Sequence, residues 1–169
     1  MTLCNDTENE EDEILNLTLS APQGSGALGV PSTATLTLAN DDAPVLLTEE
    51  NTDQAIALTS VSTTRDPFAL IDPFNLSNDH RRRVSLFVWR LGLLPADNAS
   101  NLMVVAEDSA GMTYGLTVES VGAVPGLTDV SQVNVILPDN VIGAPRELWL
   151  TVKLRGPATN RASIRIAAP

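Results

Sequence analysis

Residues 84–91 carry the sequence Val-Ser-Leu-Phe-Val-Trp-Arg-Leu, a strongly apolar run with the length of a buried β-strand. Six further short runs around it also predict strands, at 55–61, 102–107, 113–118, 131–137, 147–154 and 162–166. Turn signals separate them, including Asp66-Pro67, Ser109-Ala110-Gly111, Pro125-Gly126 and Pro138-Asp139-Asn140. Seven short strands in this span predict an antiparallel β-sandwich of immunoglobulin-like type over residues 55–169.

The composition also favours β-structure. The 169 residues include two Trp, one Tyr and three Phe, whereas Val, Leu, Ile and Thr are abundant. Eleven Pro and ten Gly are scattered along the chain, which suits short strands joined by turns. We therefore predict an all-β protein.

Two more strands are predicted near the N-terminus. Leu15, Leu17 and Leu19 alternate with polar residues, and 33–38 alternates threonine with Ala or Leu. A loop rich in Gly, Pro and Ser joins the two runs, which predicts a hairpin. The stretch that follows contains Pro44 and several acids, so we divide the chain into a first unit at 1–43, a linker at 44–54 and the sandwich at 55–169.

Negative charge is concentrated in the first third of the chain. Residues 1–54 contain eleven Asp and Glu and no Lys or Arg, whereas 55–169 contain ten of each sign. The net charge of −11 argues against nucleic acid as a partner. Carboxylates at this density repel one another unless they are solvated or hold a hard cation such as calcium.

The acidic segments occur in a recognisable order. Asn5-Asp6-Thr7-Glu8-Asn9-Glu10-Glu11-Asp12-Glu13-Ile14 precedes the first strand, and Leu28-Gly29-Val30-Pro31-Ser32-Thr33-Ala34-Thr35-Leu36-Thr37-Leu38 leads to Asn40-Asp41-Asp42. Over residues 1–42 this resembles the second half of a Calx-β domain, the module of sodium/calcium exchangers and many bacterial surface proteins. The final third of the chain resembles, with less specific residues, immunoglobulin-like modules of large bacterial surface proteins.

The resemblance implies a calcium site. In the family, an acidic loop before one strand and an Asp cluster after the last strand meet at one end of the sandwich. By position, the ligands in this chain would be Asp6, Glu10, Glu13, Asp41 and Asp42. Asn5 and Asn40 stand where calcium-binding members have Asp, which predicts weaker Ca²⁺ binding.

The first-half strands of such a domain are missing from this sequence. The hairpin is therefore expected to be completed by neighbouring domains or other chains, with a homo-oligomer as one way to do so. No apolar run is long enough to span a bilayer, and the N-terminus lacks the pattern of a signal peptide. We expect an extracellular or cell-surface location, as part of a longer protein whose signal lies upstream.

Nothing in the sequence predicts an enzyme. His80 is the single histidine, so a metal site with several His ligands cannot form, and no Ser stands in a nucleophile-elbow context that would suggest a triad. Arg81-Arg82-Arg83 is the one basic cluster, and a charged approach to the following strand explains it better than an anion site. Glu107, Asp108 and Asp139 adjoin turns, where acids commonly cap backbone groups. Trp89 and Trp149 lie in apolar strands and are expected in the core or at its edge.

The favoured function is a non-enzymatic, calcium-associated adhesion or structural module, in which calcium stiffens the junction between neighbouring sandwiches. Two alternatives stay open. A carbohydrate-binding accessory module of a secreted hydrolase requires aromatic residues exposed in a row, and only 4% of the residues are aromatic. A calcium-independent structural spacer requires that calcium leave the stability unchanged.

Overall fold

The computed structural model of the protein describes residues 13–20, 24, 26–38, 42–73, 75, 77–141 and 147–167. The fold over these residues is all-β, as predicted, with one short 3-10 helix at Ala99–Asn101. The strands are β1 (Glu13–Thr18), β2 (Thr33–Leu38), β3 (Val45–Leu46), β4 (Ala57–Thr59), β5 (Arg83–Trp89), β6 (Met103–Asp108), β7 (Thr113–Ala123), β8 (Val130–Ile136), β9 (Glu147–Lys153) and β10 (Ala162–Arg165). Among these elements, no helix is long and apolar enough to cross a membrane.

The hairpin predicted near the N-terminus is confirmed and forms a two-stranded sheet separate from the rest. β1 and β2 are antiparallel, with Leu15 opposite Leu36 and Leu17 opposite Ala34. Residues opposite each other project to the same side of a sheet, so one face carries leucines and the other carries threonines. The alternation seen in the sequence is thus the pleat of this hairpin.

The remaining strands form a sandwich of two antiparallel layers, as predicted. The first layer has the order β10-β9-β6-β7, and the second has the order β7-β8-β5, with β3 and β4 both paired to β5. The long strand β7 belongs to both layers: residues 113–116 pair with β6, and residues 117–123 pair with β8. A register shift between Val118 and Ser120 follows this change of partner. A bulge there increases the local twist, which helps one strand pass from one layer to the other.

The sandwich is nearly closed because the free edge of β10 is also bonded. The Ala55 amide donates to the Ser163 carbonyl at 2.7 Å, and the Phe68 amide donates to the Arg165 carbonyl at 2.8 Å. Both contacts belong to parallel bridges, whereas the ladders between the named strands are antiparallel. The segments before and after β4 therefore cover an edge that would otherwise expose unpaired backbone groups.

The core lies between the two layers and consists of alternate residues from nearly every strand of the sandwich. Its largest fully buried side chains are those of Phe68, Leu46, Leu86, Leu91, Leu137, Leu148, Leu150 and Ile164. On β9 buried residues alternate with partly buried ones, as expected when one face of a strand packs on a core; on β5 Val84, Leu86 and Val88 face the core, and the polar Ser85 between them is buried as well.

The sandwich begins earlier in the chain than residue 55. Val45 and Leu46, in the segment expected to be a linker, form β3 and pair with Trp89 and Val88. Leu46 is fully buried in the core. Asn160 holds this strand as well, because its side chain accepts from the Leu46 amide at 2.8 Å and donates to the Leu46 carbonyl at 3.2 Å. Pro44 and the nearby acids are typical of a linker. A two-residue strand has no periodicity of its own, so the sequence pattern does not reveal β3.

Candidate functional site

Of the five predicted calcium ligands, two lie in the described part of the chain. Glu13 begins β1 and is exposed, and Asp42 follows β2 and is buried. Asp6, Glu10 and Asp41 lie outside the described residues. Glu13 pairs with Leu38, so the start of β1 and the end of β2 lie at the same end of the hairpin. The two acidic segments adjoin these two strand ends in the sequence.

Asp42 forms an ion pair that charge patterning along the sequence did not reveal. Nη1 of Arg90 lies 2.8 Å from Oδ1 of Asp42, whose side chain is only 8% exposed. The guanidinium of Arg90 also lies 4.5 Å from the centre of the Trp89 ring, a cation–π contact. The Arg90 backbone has φ of +55°, a conformation that is uncommon for a residue other than glycine. These contacts fix the chain at the point where it enters the sandwich.

The donor set around the two described candidates can be compared with what calcium needs. Calcium takes six to eight oxygen ligands, mostly from carboxylates. Within the described ranges, no group of three or more His, Cys, Asp or Glu is arranged to hold a metal ion. Glu13 offers an exposed carboxylate, whereas Asp42 would have to share its carboxylate with Arg90. A calcium ion at this end of the hairpin would thus take most of its ligands from the adjoining acidic segments.

The basic cluster that the sequence singled out is neutralised within the protein. Arg81 binds Asp79 through two nitrogens, at 2.9 and 2.8 Å. Arg82 pairs with Asp72 at 3.0 Å, and Arg83 donates to both carboxylate oxygens of Glu119, at 2.8 and 2.9 Å. The hydrogen bonds and charge of Arg81 lower the pKa of Asp79 to about 2. The expectation that these arginines make a charged approach to β5 agrees with these pairs.

The other arginines of the described ranges are also paired with carboxylates. Each of the eight arginines in the described ranges has a carboxylate partner; the remaining pairs are Arg65–Glu49, Arg90–Asp42, Arg155–Asp97, Arg161–Glu107 and Arg165–Asp66. The Asp66 side chain is 4% exposed and also accepts from Gln54 at 2.8 Å. Arginines engaged in this way are poorly placed to form an anion-binding patch.

Asp108 has the turn-capping role expected of it. Its Oδ1 accepts from the amides of Ala110 and Met112 at 2.8 and 3.0 Å, and its Oδ2 accepts from the Tyr114 hydroxyl at 3.0 Å. Burial opposes the charged form of Asp108, but the donors at this turn outweigh it and hold the pKa below its ordinary value. The carboxylate therefore stabilises the β6–β7 turn.

The two tryptophans lie on the outer faces of the sandwich, one on each layer. Trp89 follows buried Val88 on β5 and is 38% exposed. Trp149 lies between buried Leu148 and Leu150 on β9, and the Arg161 guanidinium is 5.1 Å from its ring centre. Because β5 and β9 belong to different layers, these two rings do not form one row.

Arg90 is the residue of this region that the sequence analysis did not identify. It is the first basic residue after the 81–83 cluster and directly follows Trp89 at the end of a predicted strand. That position is the one signal pointing to it, and its partner is 48 residues away.

No protein-family model matches the chain, and neither does any curated protein or solved structure.

Proposed function

We propose that the protein is a non-enzymatic, calcium-associated structural or adhesion module of a larger extracellular or cell-surface protein. In this proposal the hairpin belongs to a Calx-β-like unit, and the sandwich is an immunoglobulin-like module. Calcium would bind at the end of the hairpin next to the sandwich and stiffen the junction between them.

One observation carries the calcium part of this proposal. The register of the hairpin places Glu13 opposite Leu38, so both acid-flanked strand ends occur at one end. Segments 1–12 and 39–42 contain seven of the eleven acids of the first third. The acidic segments that adjoin these two strand ends in the sequence would supply the oxygen ligands that a hard cation prefers, and without a cation their carboxylates would repel one another.

The structural role is supported by how the polar groups of the sandwich are used. Among the described residues, no buried side-chain nitrogen or oxygen lacks a hydrogen-bond partner. Active sites commonly keep buried polar or titratable groups available for a substrate. In this sandwich the arginines, Asp66 and Asp108 instead bind other parts of the same fold.

A calcium-independent spacer is the second candidate, and a specific contact favours it. Asp42 already has a cation, because the Arg90 guanidinium neutralises it at 2.8 Å. The carbohydrate-binding alternative has less support, since Trp89 and Trp149 lie on different layers. Phe87 and Trp89 do project from the same side of β5, but two rings make a short platform, and Arg90 covers part of Trp89.

Calorimetric titration and thermal melting with calcium distinguish the two main candidates. We expect binding in the range of extracellular modules, about 10⁻⁴–10⁻³ M, and a higher melting temperature with calcium. Magnesium at the same concentration should have a smaller effect, because it demands near-octahedral geometry. Glu13→Gln should weaken the response, whereas Asp139→Asn, in an exposed turn of the sandwich, should not. No heat and no thermal shift at millimolar calcium would refute calcium association for this chain and leave the spacer.

A further inference from the structure

We infer that the hairpin is a self-association surface whose apolar face binds the same face of a second copy of this chain. The surface consists of six residues, hereafter the leucine face: Leu15, Leu17, Leu19, Ala34, Leu36 and Leu38. The proposed calcium site lies at the Glu13 end of the same hairpin, whereas this surface is one side of its strands, so the inference does not require a bound calcium ion.

The leucine face is exposed although its residues are those of a buried surface. Leu17 is 49% exposed, Leu19 is 66% exposed and Leu36 is 40% exposed. On the core-facing side of the sandwich strands, by contrast, leucines such as Leu86 and Leu148 are fully buried. The hairpin therefore does not bury its apolar face against the sandwich of its own chain.

With its leucine face exposed, the hairpin lacks the packing contacts that would stabilise it. An isolated two-stranded hairpin is at best marginally stable in water and needs more strands or a second packing surface. The threonine face gives little help, since the side chain–side chain hydrogen bond found among its described residues, from Thr35 to Asn16 at 3.0 Å, is exposed. Covering the leucine face is the step that would make β1 and β2 stable.

The charge distribution favours a second copy as the partner. Residues 14–38 contain no charged residue, and Glu13, which projects from this face opposite Leu38, lies at its very end, so two leucine faces can meet with that carboxylate left in water. A contact between identical faces is isologous and closes as a dimer.

The acidic segments also determine the orientation of the pair. A two-fold axis along the strands would bring both copies' Glu13 ends together, with the acidic segments that adjoin them. An axis in the plane between the faces and perpendicular to the strands places those ends at opposite ends of the dimer. Electrostatic repulsion selects the second arrangement, so the association should depend little on salt.

The expected dimer is weak. Six side chains per copy are far fewer than the roughly 20–30 residues a side of a standard interface. We therefore expect a concentration-dependent equilibrium with a dissociation constant in the micromolar range or above, measured by sedimentation and light scattering. Leu17→Asp and Leu36→Asp should abolish the dimer. Ile14→Asp is the matched control, because Ile14 is 66% exposed on the threonine face of the same hairpin and should leave dimerisation intact.

Amide exchange of the unaltered chain separates lost contact from an unfolded hairpin. Protection of the β1 and β2 amides should rise with protein concentration, while protection in β5 and β8 should not change. A chain that stays monomeric at all concentrations would overturn the inference. So would slow exchange in β1 and β2 that is independent of concentration, or a dimer that persists in Leu17→Asp and Leu36→Asp.

Discussion

Oδ1 of Asp42 and Nη1 of Arg90 lie 2.8 Å apart, although Asp42 belongs to the acidic third of the chain and Arg90 to the electrically balanced remainder. The carboxylate is buried and the guanidinium is partly exposed over Trp89. The ion pair thus joins the chain segment after the hairpin to the end of β5. It also neutralises one of the residues expected to hold calcium.

Replacing Arg90 with Ala should destabilise the sandwich by about 1–3 kcal/mol, because it leaves a buried carboxylate without its cation. Trp89 fluorescence should change in the folded state, since the stacked guanidinium is lost. Urea unfolding monitored by circular dichroism measures the first effect. Arg161→Ala is the control: Arg161 also stacks on a tryptophan, but the side chain of its partner Glu107 is partly exposed, whereas that of Asp42 is buried, so the cost should be smaller.

Arg90→Ala also tests the calcium proposal, because it should lower the stability of the fold but raise its affinity for calcium. If Asp42 contributes to a calcium site, Arg90→Ala removes a competing cation and should tighten calcium binding. Calorimetric titration of the variant against the unaltered chain measures this change. Unchanged or weaker calcium binding in Arg90→Ala would remove Asp42 from the ligand set.

Leu46→Ala should destabilise the protein by about 2–5 kcal/mol, the usual cost of removing a fully buried leucine side chain. Val61→Ala is the control, because Val61 is 88% exposed and its truncation should cost within about 0.5 kcal/mol. Chemical unfolding of both variants gives the comparison. Similar small effects would mean that β3 is not part of the cooperative core.

The same strand decides where the folding unit begins. The segment 43–169 expressed alone should be more stable than the segment 55–169, because the longer one keeps Leu46 and the backbone partners of Asn160. Thermal melts followed by circular dichroism compare the two. Equal melting temperatures would place the boundary at residue 55 after all.

Asp108→Ala should lower the melting temperature by loosening the β6–β7 turn, since the Tyr114 hydroxyl and the amides of Ala110 and Met112 lose their acceptor. Tyr114→Phe removes one of these bonds together with its donor and should cost less. Amide exchange at Ala110 and Met112 provides a local readout. Unchanged protection there in Asp108→Ala would contradict the capping role.

Asp79 should contribute to acid sensitivity. The hydrogen bonds and charge of Arg81 lower the pKa of Asp79 from 3.8 to about 2. The ion pair therefore stabilises the fold fully at pH values above the ordinary pKa of the carboxyl group. This contribution is lost as the pH falls through about 2. Asp79→Asn should be less stable than the unaltered chain at neutral pH, and the difference should shrink on acidification. A difference that is constant with pH would show that the ion pair with Arg81 is not its source. Since the pair is partly exposed, added salt should also reduce the difference.

The strand pattern was largely predictable from the sequence. The alternation of Leu15, Leu17 and Leu36 with polar residues, and the apolar runs around Val88 and Leu150, set which side of each strand is apolar. This works because the period of a strand is local: neighbouring residues point to opposite faces whatever the rest of the chain does. The turn signal around Gly111 separates β6 from β7 as predicted, but β7 continues to Ala123, five residues beyond its predicted end at 118, before the turn around Gly126.

Contacts between distant segments were not predictable in this way. The sequence shows eleven acids without a base in residues 1–54, yet Asp42 pairs with Arg90 and Glu49 pairs with Arg65. β3 was missed because two residues have no period, and only the core around Leu46 makes them a strand. Composition and periodicity are properties of the chain read in order, so they determined the β-class, the hairpin and the strand faces. The tertiary structure alone decided which charges meet, which segments cover the edge of β10 and which leucines stay exposed, because these depend on how the layers pack.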